Sequence, residues 1–278
     1  MRIARLIVAA ASMVGVAGVA GGQMNELVTA PPKLVVLVYQ RFSFEKAAEI
    51  DGWEIGAARA CQGLDVPNSW IVMDSVTGEP EALSFDPFDS FEEMEKPVAE
   101  WGAIYAAHPE LGRLQGHIMA ALTSQRTVIA VRRDDLSYRA SRIDLSKARF
   151  MRVLEVRLHP GREKDFAEAF EKLSAAYEKA QSDLPWVVYQ VNLGTPSPAF
   201  LAFVPMRAVG QNDDLLQSHA KVLAAEGDAA ERMQQIAREA YASMESNLYA
   251  VKPEKSHVTA AFAAGDPEFW TPKGTPGK

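Results

Sequence analysis

The chain has 278 residues, 48% of them hydrophobic, a formal net charge of -7 and a single cysteine. An acidic chain with no basic cluster is a poor partner for nucleic acid, whose phosphates are held by Lys and Arg that displace counterions, so that class is excluded. One cysteine, Cys61, rules out an intramolecular disulfide and leaves stability to a packed core, for which the apolar content is ample. Set among Ala58, Ala60 and Leu64 in a predicted helix, Cys61 reads as a small buried apolar residue.

Residues 1–22 read as a signal peptide. Arg2 and Arg5 make a positive start, 6–20 is an uncharged run of small and apolar residues, and Gly18-Val19-Ala20 supplies the small residues a signal peptidase needs. The run is too short and too rich in Gly and Ala for a membrane span of about 20 strongly apolar residues. Cleavage takes the net charge from -7 to -9 and predicts a periplasmic or secreted protein with no integral membrane association.

The remaining chain is long enough for two domains of ordinary size. In the first, 33–41 is an apolar strand and 45–64 a helix, with Ser43 as its cap and a turn at Pro67-Asn68 after it. Strands at 69–75 and 81–86 follow, then a long helical region from 90 to about 123, broken near Pro109 with a second candidate break at Gly116, and a last strand at 127–133. The second domain repeats this order: strand 149–158, helix 163–181, strands 185–193 and 199–205, helix from about 213 to 245, strand 247–252. Its first helix places Phe166, Phe170, Leu173 and Tyr177 in one stripe that must lie on a sheet. The tail, 261–278, carries Pro267, Pro272 and Pro276 and reads as a surface-draped or disordered end; Phe269 and Trp270 are the pair that would dock it into a groove.

The two halves match residue by residue. Leu34 to Phe42 (LVVLVYQRF) answers Phe150 to Leu158 (FMRVLEVRL) without a gap at an offset of 116, as does Trp70-Ile71-Val72-Met73 with Trp186-Val187-Val188-Tyr189. Leu83-Ser84-Phe85-Asp86-Pro87-Phe88 answers Leu201-Ala202-Phe203-Val204-Pro205-Met206 at 118, and Ala130-Val131-Arg132 answers Ala250-Val251-Lys252 at 120. Small drift in offset means loop insertions between two copies of one domain, predicted as 33–140 and 147–260. The fold class is α+β: two tandem ferredoxin-like βαββαβ repeats, each an antiparallel sheet with its helices on one face. Strands apolar on both faces, such as 34–38, need a second cover. The expectation is that the sheets pack on each other into an intramolecular α+β barrel.

This order of elements, the duplication, and the strand Val153 to Leu158 running into His159-Pro160-Gly161-Arg162-Glu163 and Phe166 resemble the dimeric α+β barrel superfamily. That group includes antibiotic-biosynthesis monooxygenases, stress-responsive A/B barrel proteins and the NIPSNAP family. The resemblance spans 33–260 and implies a single-chain version of their dimer. Its members include cofactor-free oxygenases, haem enzymes, lactone isomerases and proteins with no assigned chemistry, so it implies fold more than activity. The first copy departs from the motif, with Phe42-Ser43-Phe44 where the second has Pro160-Gly161 nearby.

Strand alternation puts Tyr39 and Arg41 on the face of Leu37, and Glu155 and Arg157 on that of Val153. Tyr39, Glu155 and Arg157 are candidate catalytic residues lining an inter-sheet cavity, with Glu155 as a general base raised by burial; the competing reading is a satisfied ionic network. Trp70 and Asp74, with Trp186 and Gln190, are candidates for an aromatic wall with polar handles, against a plain packing role for a Trp at the same place in both copies. His219 falls opposite Trp101 between the copies, where a haem-binding relative would place an axial ligand; a packed or solvent-facing imidazole is the alternative. The five histidines lack metal-ligand spacing, and no nucleophile elbow, phosphate loop, dinucleotide fingerprint or paired-cysteine motif occurs, so neither metal nor cofactor is expected. The functional expectation is an exported barrel holding a small, partly apolar or aromatic molecule. The alternatives are a cofactor-independent monooxygenase-like or haem-dependent enzyme, and a structural protein that assembles as a homo-oligomer through its sheet edges.

Overall fold

The computed structural model describes residues 29–271, so the signal-peptide stretch and the tail from 272 onward lie outside the described residues. The chain forms β1 (Leu34–Phe42), α1 (Ala47–Cys61), β2 (Ile71–Ser75), β3 (Glu81–Phe88), α2 (Glu95–Ala107), α3 (Pro109–Ala121) and β4 (Leu122–Tyr138). It continues through β5 (Phe150–Leu158), α4 (Glu163–Lys179), β6 (Trp186–Leu193), β7 (Ala199–Met206), α5 (Gln211–Glu226), α6 (Asp228–Ala240) and β8 (Tyr241–Val251), with short α7 (Ala260–Ala263) and α8 (Pro267–Trp270) at the end. The strands hydrogen-bond in the order β1-β3-β2-β8-β5-β7-β6-β4, a closed barrel. This is the α+β barrel that the alternating periodicities predict. No helix among the described residues is long and apolar enough to cross a membrane.

Two compact units divide the described residues: 32–127 with 251–271, hereafter unit 1, and 29–31 with 128–250, hereafter unit 2. In unit 1, β3 pairs antiparallel with both β1 and β2, setting Tyr39 opposite Leu83 and Met73 opposite the same Leu83. Alternation then sorts the strands. Phe42, Val72 and Ala82 pack with Ile50 of α1, so that face of the sheet is the helix-covered one. Val35, Leu37, Tyr39, Ile71, Met73, Leu83 and Phe85 point the other way and are buried too. Unit 2 repeats the pairing, with β7 between β5 and β6, and its helix-covered face is one apolar cluster built on Val156, Leu158, Phe166, Phe170, Tyr177, Trp186, Val188 and Phe200. The predicted stripe of Phe166, Phe170, Leu173 and Tyr177 lies in that cluster.

Several boundaries differ from the pattern-based ones. The long helix of the first repeat breaks at His108, before Pro109, and runs on through Gly116 without interruption. Proline at the first helical position starts α3 cleanly, whereas a glycine in an exposed helix lowers propensity by only about 1 kcal/mol and does not end it. The second long helix breaks at Gly227, whose φ of 39° is one that L side chains rarely adopt. The strands β4 and β8 begin at 122 and 241, well before the expected 127 and 247. Their opening stretches, Thr123-Ser124-Gln125-Arg126 and Ser243-Met244-Glu245, are exposed or half-buried and polar apart from Met244, so hydrophobic alternation could not mark them. Ser43 makes no side-chain cap; a single 3-10 turn at Phe44–Lys46 leads into α1 instead. In the tail, Trp270 is buried against Phe262, with ring centroids 5.1 Å apart.

Candidate functional site

Both units carry one local device at the same place. In unit 2 the Trp186 indole N–H donates to the Leu136 carbonyl at 3.0 Å, Ser137 Oγ accepts from the Val188 backbone N–H at 2.9 Å and donates to the Arg133 carbonyl, and Tyr138 stacks on Trp186 at 4.8 Å. In unit 1 the Trp70 indole donates to the Lys255 carbonyl at 3.1 Å, Ser256 Oγ accepts from Val72 N–H at 2.9 Å and donates to the Lys252 carbonyl, and His257 stacks on Trp70 at 4.9 Å. These buried backbone groups need partners wherever the strand ends, so the device is structural.

What differs is the chemistry it supports. On the helix-covered face of unit 1, Gln40, Glu54, Ser84, Asp86 and Lys255 line a cavity of about 140 Å³. At the corresponding positions unit 2 carries Val156, Phe170, Ala202, Val204 and Leu136, all members of its apolar cluster or packed against it. One copy of the fold does without every one of these polar groups. The sheet supplies the floor of the cavity, with Val38, Trp70 and Val72 beside the polar residues, and α1, α2 and α3 supply its roof, with Ala58, Cys61, Trp101, Tyr105, Leu111 and Gln115. Its size suits one aromatic ring, since an apolar cavity of about 150 Å³ holds benzene.

Asp86 is the group that most needs explaining. It is 7% exposed, sits in a strand of Leu83, Phe85 and Phe88, and its carboxyl receives one protein hydrogen bond, from Ser84 Oγ to Oδ1 at 2.6 Å. Burial pushes its pKa up to about 7, and the Ser84 bond only partly counters this. A carboxyl poised at neutrality inside an apolar cavity can hold or release a proton near physiological pH. Above it, the Trp101 indole donates to Asn68 Oδ1 at 2.8 Å, which fixes the side-chain amide of Asn68 at the cavity wall. Burial also raises the Tyr105 hydroxyl to about 12 and the Cys61 thiol to about 11, so both stay protonated.

At the other end, the Lys255 ammonium is 2% exposed and surrounded by Asp51 at 2.5 Å, Asp74 at 2.8 Å and Glu54 at 2.9 Å. Burial works against its charge, but the three carboxylates outweigh that and hold Lys255 charged. Burial raises Glu54, with Lys255 pulling the other way. The oxygens of Asp51, Glu54 and Asp74 lie within 4.8 Å of one another, the spacing of a metal site, and Lys255 is the cation they share. The cluster ties the segment after β8 to α1 and β2.

The sequence-based candidates scatter over this map. Trp70 lines the cavity, and Asp74 stands just behind it as a partner of Lys255. Tyr39 is on the opposite face of the same sheet, with the Arg126 guanidinium 4.4 Å over its ring; Arg41, also on that face, pairs with Glu79 and Glu81 at the strand end. Glu155 and Arg157 belong to β5 of unit 2, where Glu155 faces Leu201 and Glu245 across the ladder. Trp186 is fully absorbed in the unit 2 core, and Gln190 accepts from Arg133 at 2.6 Å. His219 lies on α5, its imidazole lowered by partial burial and by Arg152. Among the described residues, no side chain of unit 2 lines the cavity. A haem does not fit these residues: the unit 1 cavity has no histidine in its wall, and in unit 2 the space between sheet and helices is filled by Phe166, Phe170, Tyr177, Trp186 and Phe200.

No family model matches the chain, and no curated protein matches it. Solved structures do. An anthrone oxidase-like protein superposes with a TM-score of 0.55 at 15% identity, covering 81% of this chain and 94% of that one. A mutant chlorite dismutase from Candidatus Nitrospira defluvii gives 0.48 at 8% identity over 81% and 93% of the two chains, and a haem-binding protein from Thermus thermophilus gives 0.44 at 11% over 84% and 97%. The chain therefore shares its fold with the anthrone oxidase-like protein, and an identity this low carries no activity across.

Proposed function

We propose that this is an exported, tandem α+β barrel protein whose first unit binds a small, partly apolar molecule in the cavity between its sheet and helices, while the second serves as a structural copy. The export part rests on the N-terminal sequence alone. The tandem part is supported by the shared Trp-Ser-aromatic device at offsets of 116 and 119 residues. One observation carries the binding reading: Asp86 is buried with a single hydroxyl partner at a position where the other unit has Val204. A fold does not keep a buried carboxyl for stability when an apolar residue serves as well, because desolvation costs several kcal/mol.

Calorimetric titration with phenol at pH 6 and pH 8 tests this. Phenol binds the wild type, its affinity changes between the two pH values as Asp86 ionises, and Asp86→Asn removes that change. Absence of phenol binding at both pH values would end the reading.

A second reading, a cofactor-independent oxygenase acting on an activated phenol or quinol, is favoured by the same carboxyl. Poised near 7, Asp86 can accept the hydroxyl proton and leave an electron-rich anion for molecular oxygen to oxidise. Oxygen uptake with a quinol, abolished in Asp86→Asn, separates it from simple binding.

A further inference from the structure

Resting on the cavity reading above, the unused hydrogen-bonding capacity of the wall specifies the ligand. Gln115 of α3 lines the cavity, and its side-chain amide nitrogen is buried without a hydrogen-bond partner. Asn68, 7% exposed, uses only its oxygen, which accepts from Trp101. Its amide nitrogen makes no hydrogen bond among the described residues. Asp86 Oδ1 is engaged by Ser84, which leaves the second oxygen of that carboxyl. A buried donor left unmade costs about 1–3 kcal/mol, so the Gln115 amide, with the unused Asn68 amide also in the cavity wall, is a demand for an acceptor.

Charge narrows the class. Asp86 and Glu54 are both in the wall, and the one cation there, Lys255, is already shared among three carboxylates. A carboxylate ligand would meet negative groups and no available positive one.

We propose that the cavity selects a neutral, single-ring molecule bearing a hydroxyl that donates to Asp86 and, on another edge, a carbonyl or ether oxygen that accepts from Gln115 and Asn68. Gln115 is then a specificity-determining residue, unused by the fold and used by the ligand.

The test compares toluene, phenol, 4-hydroxyacetophenone and 4-hydroxybenzoate by calorimetry on the wild type and on Gln115→Met, a substitution of similar length that removes the side-chain amide. 4-Hydroxyacetophenone binds about tenfold or more tighter than phenol, the value of a satisfied hydrogen bond, and toluene binds more weakly than phenol. In Gln115→Met that advantage shrinks about fivefold or more while phenol is unaffected, and 4-hydroxybenzoate binds neither protein measurably. The unliganded variant melts higher than the wild type, because an unsatisfied buried donor has gone; a merely structural glutamine would give a lower melting temperature. Asn68→Asp, which keeps the acceptor for Trp101 and deletes the amide donor, lowers the 4-hydroxyacetophenone advantage as well. If phenol and 4-hydroxyacetophenone bind alike, or if Gln115→Met weakens both equally, the two-edged selection is overturned while binding in the cavity stands. If no ring compound binds, the cavity reading itself falls.

Discussion

Ser84 Oγ lies 2.6 Å from Asp86 Oδ1, two residues along the same face of β3, and both are replaced by apolar residues, Ala202 and Val204, on the matching strand of unit 2. The hydroxyl donates to the carboxylate and lowers its pKa, yet burial prevails and leaves the group titrating near 7.

Asp86→Asn follows from that balance. With a folded pKa of about 7 against an ordinary 3.8, Asp86 contributes stability that is fully present below pH 3.8 and is lost as pH rises through 7. Three units of displacement correspond to a loss of about 4 kcal/mol at pH 8. Asn carries no such charge, so the variant is the more stable of the two at pH 8 and close to wild type at pH 4. Denaturant midpoints taken at pH 4, 6 and 8 check it; parallel pH profiles for the two proteins would refute the titration assigned to Asp86.

Lys255→Met removes the ammonium from between Asp51, Glu54 and Asp74. Deleting one side of a buried ion pair costs about 3–5 kcal/mol, and here the loss is at the lower end because Glu54 stays buried while Asp51 is half exposed. The loss is greater at pH 7 than at pH 5, because burial raises Glu54 and so favours its neutral form as pH falls, which weakens the repulsion among the carboxylates. The wild-type Lys255 contribution is constant over that range, well below where its ammonium titrates. Chemical unfolding at the two pH values is the measurement, and a loss equal at both would sink the account.

The fold was legible because packed strands and stripes repeat with fixed periods: Phe166, Phe170, Leu173 and Tyr177 identify the sheet-facing side of α4, and the five apolar residues 34–38 require cover on both faces of β1. The site was not legible by the same rule. A polar residue on an apolar strand points to Glu155 and Arg157, which do not line the cavity, whereas Asp86 sits inside Leu83-Ser84-Phe85-Asp86 opposite Val204 in the alignment of the two halves. The informative signal is the difference between the copies: Gln40, Glu54, Ser84, Asp86 and Lys255 against Val156, Phe170, Ala202, Val204 and Leu136. Lys255 in particular lies in a short loop after β8, where periodicity carries no information and only three-dimensional proximity to Asp51, Glu54 and Asp74 reveals its role.

Cys61 faces the same cavity from α1. Its thiol is 2% exposed and raised to about 11 by burial, so the reactive thiolate is scarce at pH 8. Alkylation of the folded protein by iodoacetamide at pH 8 is therefore slower than that of the unfolded chain by about two orders of magnitude or more, the factor implied by the displaced pKa together with burial. Mass spectrometry over a time course reads the rate; labelling of the native protein as fast as in denaturant would mean that α1 opens readily.

Rewriting unit 1 in the idiom of unit 2 separates folding from binding. The double variant Ser84→Ala, Asp86→Val copies Ala202 and Val204, residues that sit in or against a packed apolar cluster on the equivalent strand. Removing a buried carboxyl together with its only side-chain partner leaves no unmet donor behind, so the usual penalty for breaking a buried pair does not arise. The variant is more stable than wild type at pH 8, by about 1–4 kcal/mol, and it no longer binds phenol in a pH-dependent way. Gains of this kind are typical where polar groups have been kept for a ligand at the expense of the core, and they do not occur where a polar pair organises the fold. A double variant that is less stable than wild type at every pH would assign Ser84 and Asp86 to the architecture of β3 and leave the cavity without its proton acceptor.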